Sequence, residues 1–364
     1  ISVTGVQTCA LPISGSVTLQ APTVAGSTVL TLPTTTGTVP VLPTATGVLA
    51  EASGGTGTTT GYYGFKNRII NGAMVIDQRN AGASQSLTNG AGSYTLDRYR
   101  IFYDATSAVL TSQQVTTAPA GFNYSQKLTV STAGTISSGT NCTHMQFIEG
   151  YNMADLGWGT SAAKSATLSF WVYSSVTGTF SVSFGDNSGL SYTTTYTISA
   201  SNTWTYITVT VPGPTAGTWA TNNTEGLQVN FGLGIGSSLS TTTGTWTSGN
   251  FPGATGAVSV VGTSGATFYI TGVQLERGST ATSFEFRHYG TELALCQRYY
   301  QQSTCLIASA GYGGIYFAFP VTMRTTPTVT GTGGAGYGST VASYGIQQYQ
   351  TTGAMTAQTF SAEL

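Results

Sequence analysis

SATLSFWVYSS, Ser165–Ser175, alternates two chemistries. Successive side chains of an extended chain point to opposite sides. Ala166, Leu168, Phe170 and Val172 therefore share one face, and Thr167, Ser169, Trp171 and Tyr173 share the other. At least one face is core, and the segment is a strand. TGTFSVSFGDNSG, 177–189, keeps the period: Phe180, Val182 and Phe184 alternate with small polar residues until GDNSG supplies a turn, so a hairpin is expected here. TWTYITVTVPG, 203–213, sets Ile207, Val209 and Val211 against Trp204, Tyr206 and two threonines. Pro212, with no N–H to pair, must end that strand. In ATFYITGVQLERG, 266–278, the apolar set shifts phase from Phe268 and Ile270 to Val273 and Leu275 across Gly272, the mark of a β-bulge at Gly272.

Composition extends this pattern to the whole chain. The 364 residues suffice for two domains. With 48 glycines, 20 tyrosines and only 6% charged residues, they describe short strands joined by tight turns, an all-β protein. The formal net charge is −1 and there is no Lys/Arg run, which argues against nucleic acid or an anionic membrane surface as partner. No apolar stretch approaches the roughly 20 residues that span a bilayer, so membrane insertion is not expected.

Cys9, Cys142, Cys296 and Cys305 form no C-x-x-C pair and no metal-ligand spacing with His144 or His288. They read as buried free thiols, with a Cys296–Cys305 bridge left open. No cofactor is expected. The GDNSG turn could hold a structural calcium through Asp186 and Asn187, since carboxylate and amide oxygens suit that ion, although a bare turn is the commoner outcome.

Five segments are expected. VTGVQTCALPI, Val3–Ile13, is similar to the translation of a common sequencing adapter, so residues 1–14 are read as a non-native segment and the rest as the C-terminal part of a longer polypeptide. Residues 15–61 are Thr/Gly-rich, echo LPTTTG (Leu32–Gly37) in LPTATG (Leu42–Gly47) and end in the hinge-like SGGTGTTTG. They read as a linker or as a slender β-rich shaft whose edges other copies cover. Residues 62–288 form a jelly-roll-like β-sandwich, 289–302 a short connecting helix, and 303–364 a small C-terminal β domain in which Ile315, Phe317 and Phe319 alternate with Tyr316 and Ala318.

The charges concentrate in GVQLERGSTATSFEFRHYGTELALCQRYY, Gly272–Tyr300, which holds Glu276, Arg277, Glu285, Arg287, Glu292 and Arg298. TSFEFR should lie flat against the outside of the sandwich. Thr291 should then cap a helix that places Glu292 and Arg298 at favourable ends of its dipole and Leu293, Cys296 and Tyr300 on one stripe. A helix of about ten residues must pack on something. The stretch therefore reads as a joint fixed by ion pairs rather than an active site.

NRIINGAMVIDQRNAG (Asn67–Gly82), FIEGYNMADLGWG (Phe147–Gly159) and GVQLERGSTATSFEFRHYGTELALCQRYYQ (Gly272–Gln301) together resemble the distal tail-fibre or receptor-binding proteins of tailed bacteriophages, and TFSAEL is similar to a C-terminus of that group. The resemblance implies a carbohydrate-binding-module-like sandwich in a homotrimeric virion fibre, made in the host cytoplasm. Its partners would be host cell-surface polysaccharide or lipopolysaccharide and other tail proteins. It carries over no catalytic residue.

The expected function is thus non-catalytic glycan recognition. The rivals are a polysaccharide-depolymerising glycosidase on the same scaffold and a secreted bacterial adhesin or carbohydrate-binding module. Glycoside hydrolysis needs two carboxylates across a cleft, and no two of the 12 acidic residues are placed together by pattern. Asp77 and Asp97 adjoin Arg79 and Arg98, which suggests local ion pairs. There is no G-x-S-x-G, H-E-x-x-H or phosphate-binding Gly-rich loop. His144 reads as a strand histidine with its hydrogen bonds satisfied. For sugar stacking the candidates are the loop tryptophans Trp158, Trp219 and Trp246, each of which could instead plug the sandwich end.

Overall fold

The computed structural model describes residues 65–186, 189–303, 315–330, 338–349 and 358–364. The adapter-like segment, the Thr/Gly-rich lead-in, Cys9, Asn187 and Cys305 lie outside them.

In chain order the strands are β1 Gln85–Ser86, β2 Ala91–Leu96, β3 Tyr99–Tyr103, β4 Val109–Val115, β5 Ser125–Thr132, β6 Asn141–Glu149, β7 Ala166–Ser174, β8 Gly178–Gly185, β9 Leu190–Ile198, β10 Thr205–Val211, β11 Glu225–Ile235, β12 Ser240–Thr241, β13 Trp246–Ser248, β14 Gly253–Ala254 and β15 Thr267–Arg277. Helix α1, Tyr289–Gln297, precedes β16 Tyr300–Ser303, β17 Ile315–Ala318, β18 Thr328–Thr330, β19 Gly338–Ala342, β20 Gly345–Tyr349 and β21 Gln358–Ser361.

The fold is all-β with one short α-helix among the described residues. A six-stranded sheet, β1-β4-β5-β15-β7-β10, and a seven-stranded sheet, β13-β9-β8-β11-β6-β3-β2, make a jelly-roll-like sandwich. Their inner faces carry the predicted alternation: Leu168, Phe170 and Val172 of β7 are buried with Phe180, Val182 and Phe184 of β8 and Val229 and Phe231 of β11. Phe170 meets Phe231 edge-on with centroids 5.0 Å apart, a favoured aromatic geometry. The hairpin expected at GDNSG joins β8 to β9, which pair antiparallel from Gly178–Ile198 to Gly185–Ser191. β10 ends at Val211, before Pro212.

The bulge is at Gly272. The register of β15 on β7 shifts between Thr271 and Gln274, and Gly272 has φ +62°. A Cβ there would sit 2.7 Å from Phe122 and 3.0 Å from Trp171. Glycine is thus required twice, by its dihedral and by the rings that close over it.

After β15 the chain doubles back over the outside of the six-stranded sheet, as TSFEFR suggested. The Thr167 and Thr210 hydroxyls donate to the carbonyls of Gly278 and Ser279, and the Glu285 N–H donates to the Gln274 side chain. The helix differs from expectation. It begins at Tyr289 with His288 as N-cap and no side-chain cap. The His288 carbonyl accepts from the N–H groups of Thr291 and Glu292, so Thr291 lies inside the first turn, and Tyr300 belongs to β16. Tertiary contacts override the capping preference: Glu292 is buried and takes the Asn71 N–H and the Arg287 guanidinium.

The Gly272–Tyr300 stretch is a joint. Arg287 pairs with Glu285 at 3.2 Å and Glu292 at 3.4 Å. Arg298 pairs with Glu149 at 2.5 Å, and Tyr299 donates to the same carboxylate at 2.6 Å. Those two hydrogen bonds, with the Arg298 charge, outweigh burial and hold Glu149 below the usual carboxylate range. Cys296 and Tyr299 pack with Ile70 and Ile76, and Leu364 closes the cluster.

The local ion pairs expected at Asp77–Arg79 and Asp97–Arg98 do not form. Asp77 accepts the N–H groups of Asn80 and Gly82, and Asp97 accepts from the Gln78 backbone and side chain. Both arginines turn to Glu363. Burial raises Asp97 to about 6.

At the C-terminal end, β16-β21-β18 and β17-β20-β19 form two three-stranded sheets around Phe319, Met323, Ile346 and Phe360. Phe319 and Phe360 pack with tilted rings, their centroids 4.8 Å apart. Cys142 and Cys296 are free and buried.

Candidate functional site

The three loop tryptophans meet one another. Trp158 contacts Trp219 at 4.9 Å and Trp246 at 5.5 Å between centroids, and Trp219 contacts Trp246 at 5.4 Å, all edge-on. Each indole N–H donates to a carbonyl within the chain: Lys164, Ala216 and Pro212 for Trp158, Trp219 and Trp246. Trp158 is 7% exposed and belongs to the sandwich core, with the other two packed against it. The cluster fills one end of the sandwich.

A different set of aromatics faces outward, in the opposite phase to the core of the six-stranded sheet. Tyr206 lies opposite Trp171 in the β10–β7 register, with centroids 5.1 Å apart. Tyr269 lies opposite Tyr173 in the β15–β7 register. Tyr173 contacts Tyr269 at 4.9 Å and Trp204 at 5.5 Å. The Lys127 ammonium sits 5.5 Å from the centre of the Tyr269 ring. Outer positions of an exposed sheet are ordinarily polar. Here Trp171, Tyr173, Trp204 and Tyr269 are half-buried, and Tyr206 is 45% exposed.

The returning segment turns this face into a groove. Phe284 packs edge-on to Phe122 at 5.1 Å and to Phe286 at 4.8 Å. With Trp171, Tyr206, Ser169 and Ser283 these rings enclose a cavity of about 290 Å³. Such a surface offers flat apolar faces with a few hydroxyls at their edges. That pairing suits the C–H faces and hydroxyl rims of a sugar ring.

Sequence reasoning noted Trp171 and Trp204 within strands but looked first to the loops. The available signal was the pairing of two aromatics in the non-core phase of each of two strands, Trp171 with Tyr173 and Trp204 with Tyr206. Nothing in the sequence announced Phe122, which is carried by the loop before β5.

The other titratable groups divide simply. His144 lies in the core on β6, stacked on Tyr99 with centroids 5.1 Å apart, and its Nε2 bonds Gln126 at 2.7 Å. Burial drives it down to about 3, so it stays neutral. Its Nδ1 has no partner, so the ring is half satisfied rather than fully. Glu225, at the start of β11, is raised by burial and by the charge of Asp186, against a hydrogen bond from Gln228 and the Arg100 charge. Arg100 stacks over Phe147 at 5.7 Å.

Among the described residues no group of three or more His, Cys, Asp or Glu could hold a metal ion, and no helix is long and apolar enough to cross a membrane.

Neither a scan against protein-family models nor a comparison with curated proteins finds a match. Among solved structures the chain is similar to the enzymatically active domain of tailspike protein 4 of bacteriophage CBA120, with 15% identity and a TM-score of 0.31. That match covers 58% of this chain and 21% of the tailspike chain. The chain is also similar to a family 11 carbohydrate-binding module of a Clostridium thermocellum cellulosomal cellulase, with 10% identity, a TM-score of 0.27, and coverage of 57% of this chain and 100% of the module. A third match is the N-terminal cellulose-binding domain of Cellulomonas fimi β-1,4-glucanase C, with 11% identity, a TM-score of 0.20, and coverage of 55% and 91%. These likenesses concern the fold alone.

Proposed function

We propose that this chain is a non-catalytic glycan-binding protein of a bacteriophage tail fibre that holds host surface polysaccharide or lipopolysaccharide against the outer face of its six-stranded sheet. The observation that carries the binding reading is the outward aromatic set, Trp171, Tyr206, Phe284 and Phe286, around one groove. The fibre setting rests on the three sequence blocks and the Thr/Gly-rich lead-in. Sugar binding of this kind is weak per site, and three copies on a trimeric fibre would strengthen it by multivalency.

Trp171→Ala is the direct test. The wild-type chain should be retarded in affinity electrophoresis through gels containing host surface polysaccharide. The variant should bind at least roughly tenfold more weakly, the scale of one aromatic contact together with the area it buries. An unchanged mobility shift in the variant would remove this face from the reading.

A depolymerising activity on the same scaffold is the second reading, favoured by one observation: Glu225 holds its proton more tightly than a free carboxyl and feels the charge of Asp186. A carboxyl raised by burial and by the charge of a second carboxylate is in the electrostatic state a glycosidase uses for its general acid. If this reading holds, wild type releases reducing sugar from host polysaccharide, and Glu225→Gln abolishes the release while retention in the gel persists. No release by wild type eliminates it.

A further inference from the structure

The aromatic groove does not stand alone. Its cavity of about 290 Å³ shares Gly121, Phe122, Phe284 and Phe286 with a second of about 90 Å³, which in turn shares Asn67 and Arg287 with a third of about 220 Å³. Each falls below the roughly 300 Å³ at which ligand pockets usually begin, and together they exceed it. The series starts at Tyr206 and ends at Phe65 and Tyr151, which are 63% and 62% exposed. Phe286, 63% exposed, stands between.

Two further features bear on what would fill this trough. Arg68 and Arg287 line it, with side chains only 13% and 6% exposed, and among the described residues the Nε–H of each is buried without a partner. Both cations on the lining are already paired: Arg68 with Asp155 at 2.7 Å, and Arg287 with Glu285 and Glu292. The trough therefore offers aromatic faces with no surplus positive charge, which favours hydroxyls over carboxylates or phosphates.

Resting on the glycan-binding reading above, we infer that the three cavities act as consecutive subsites for an internal stretch of an uncharged polysaccharide, rather than as a pocket for one terminal sugar. The Tyr206 and Trp171 end holds one sugar, and the chain continues past Phe286 to the Arg68, Phe65 and Tyr151 end.

The test uses the full chain. Affinity gels containing dextran, β-1,3-glucan, galactan, neutral host polysaccharide or the acidic polygalacturonate identify a retarding polymer, and calorimetry follows with an oligosaccharide ladder cut from it. Affinity should rise with each added sugar over several units and then level at the value of the polymer. Tyr151→Ala, a change at an exposed rim, should lower that plateau roughly tenfold and leave the shortest oligosaccharides unaffected, whereas Trp171→Ala should weaken every length. Saturation at one or two sugars overturns the inference, as does an unaltered plateau in Tyr151→Ala while Trp171→Ala still abolishes binding. Both results leave the glycan reading standing. Retention by the acidic polymer alone overturns the uncharged class. If no polymer is retained and Trp171→Ala lowers the mass measured by light scattering, both readings fall and the trough is a contact between copies of the chain.

Discussion

Glu363→Ala is expected to cost about 3–5 kcal/mol of folding stability, because it leaves a buried guanidinium without its counterion. The Arg98 side chain is 1% exposed and that of Glu363 is 7% exposed. Arg98 also donates to the Phe147 carbonyl, and its guanidinium lies 3.5 Å from the centre of the Tyr299 ring. Arg79 shares the carboxylate at 2.6 Å and stacks over Tyr300 at 3.7 Å. One carboxylate thus answers two cations. At roughly 2–4 °C per kcal/mol for a domain of this size, the melting temperature should fall by about 10 °C. Scanning calorimetry of the variant measures this, and the double variant Arg98→Met/Glu363→Leu separates the causes. If burial of an unpaired charge is responsible, the double variant recovers much of the loss. A single variant within about 1 kcal/mol of wild type would show that solvent reaches the pair.

Trp158→Ala should be nearly as damaging, at about 3–5 kcal/mol, since it empties the core at the sandwich end. It also strips an edge-on partner from Trp219 and from Trp246 and frees the Lys164 carbonyl. Urea unfolding should show the loss, while the protein still folded at low temperature should be retarded by polysaccharide as wild type is. The opposite pattern, unchanged stability with lost retention, would move the binding site to the loop tryptophans.

How much of this was legible follows from the physics of each element. The inner face of β7 and the bulge at Gly272 could be read directly, because a two-residue period and a phase shift are local. The joint was legible as a concentration of charge, but its pairings were not: Arg79 finds its partner 284 positions away, and nothing in the run DQR distinguishes that contact from one with the neighbouring aspartate. The helix cap was misplaced because Thr291 is a good cap in isolation, whereas the fold spends Glu292 on Asn71 and Arg287. The outward aromatic face stayed hidden for another reason. Alternation divides a strand into two faces but does not say which is open, and here both carry large rings.

The contact between Arg98 and Glu363 spans 265 positions. During synthesis Arg98 leaves the ribosome long before its carboxylate exists, so this ion pair can close only after Glu363 is made. A chain stopped before Glu363 would keep all its sandwich strands and still lack the acid that neutralises two of its cations.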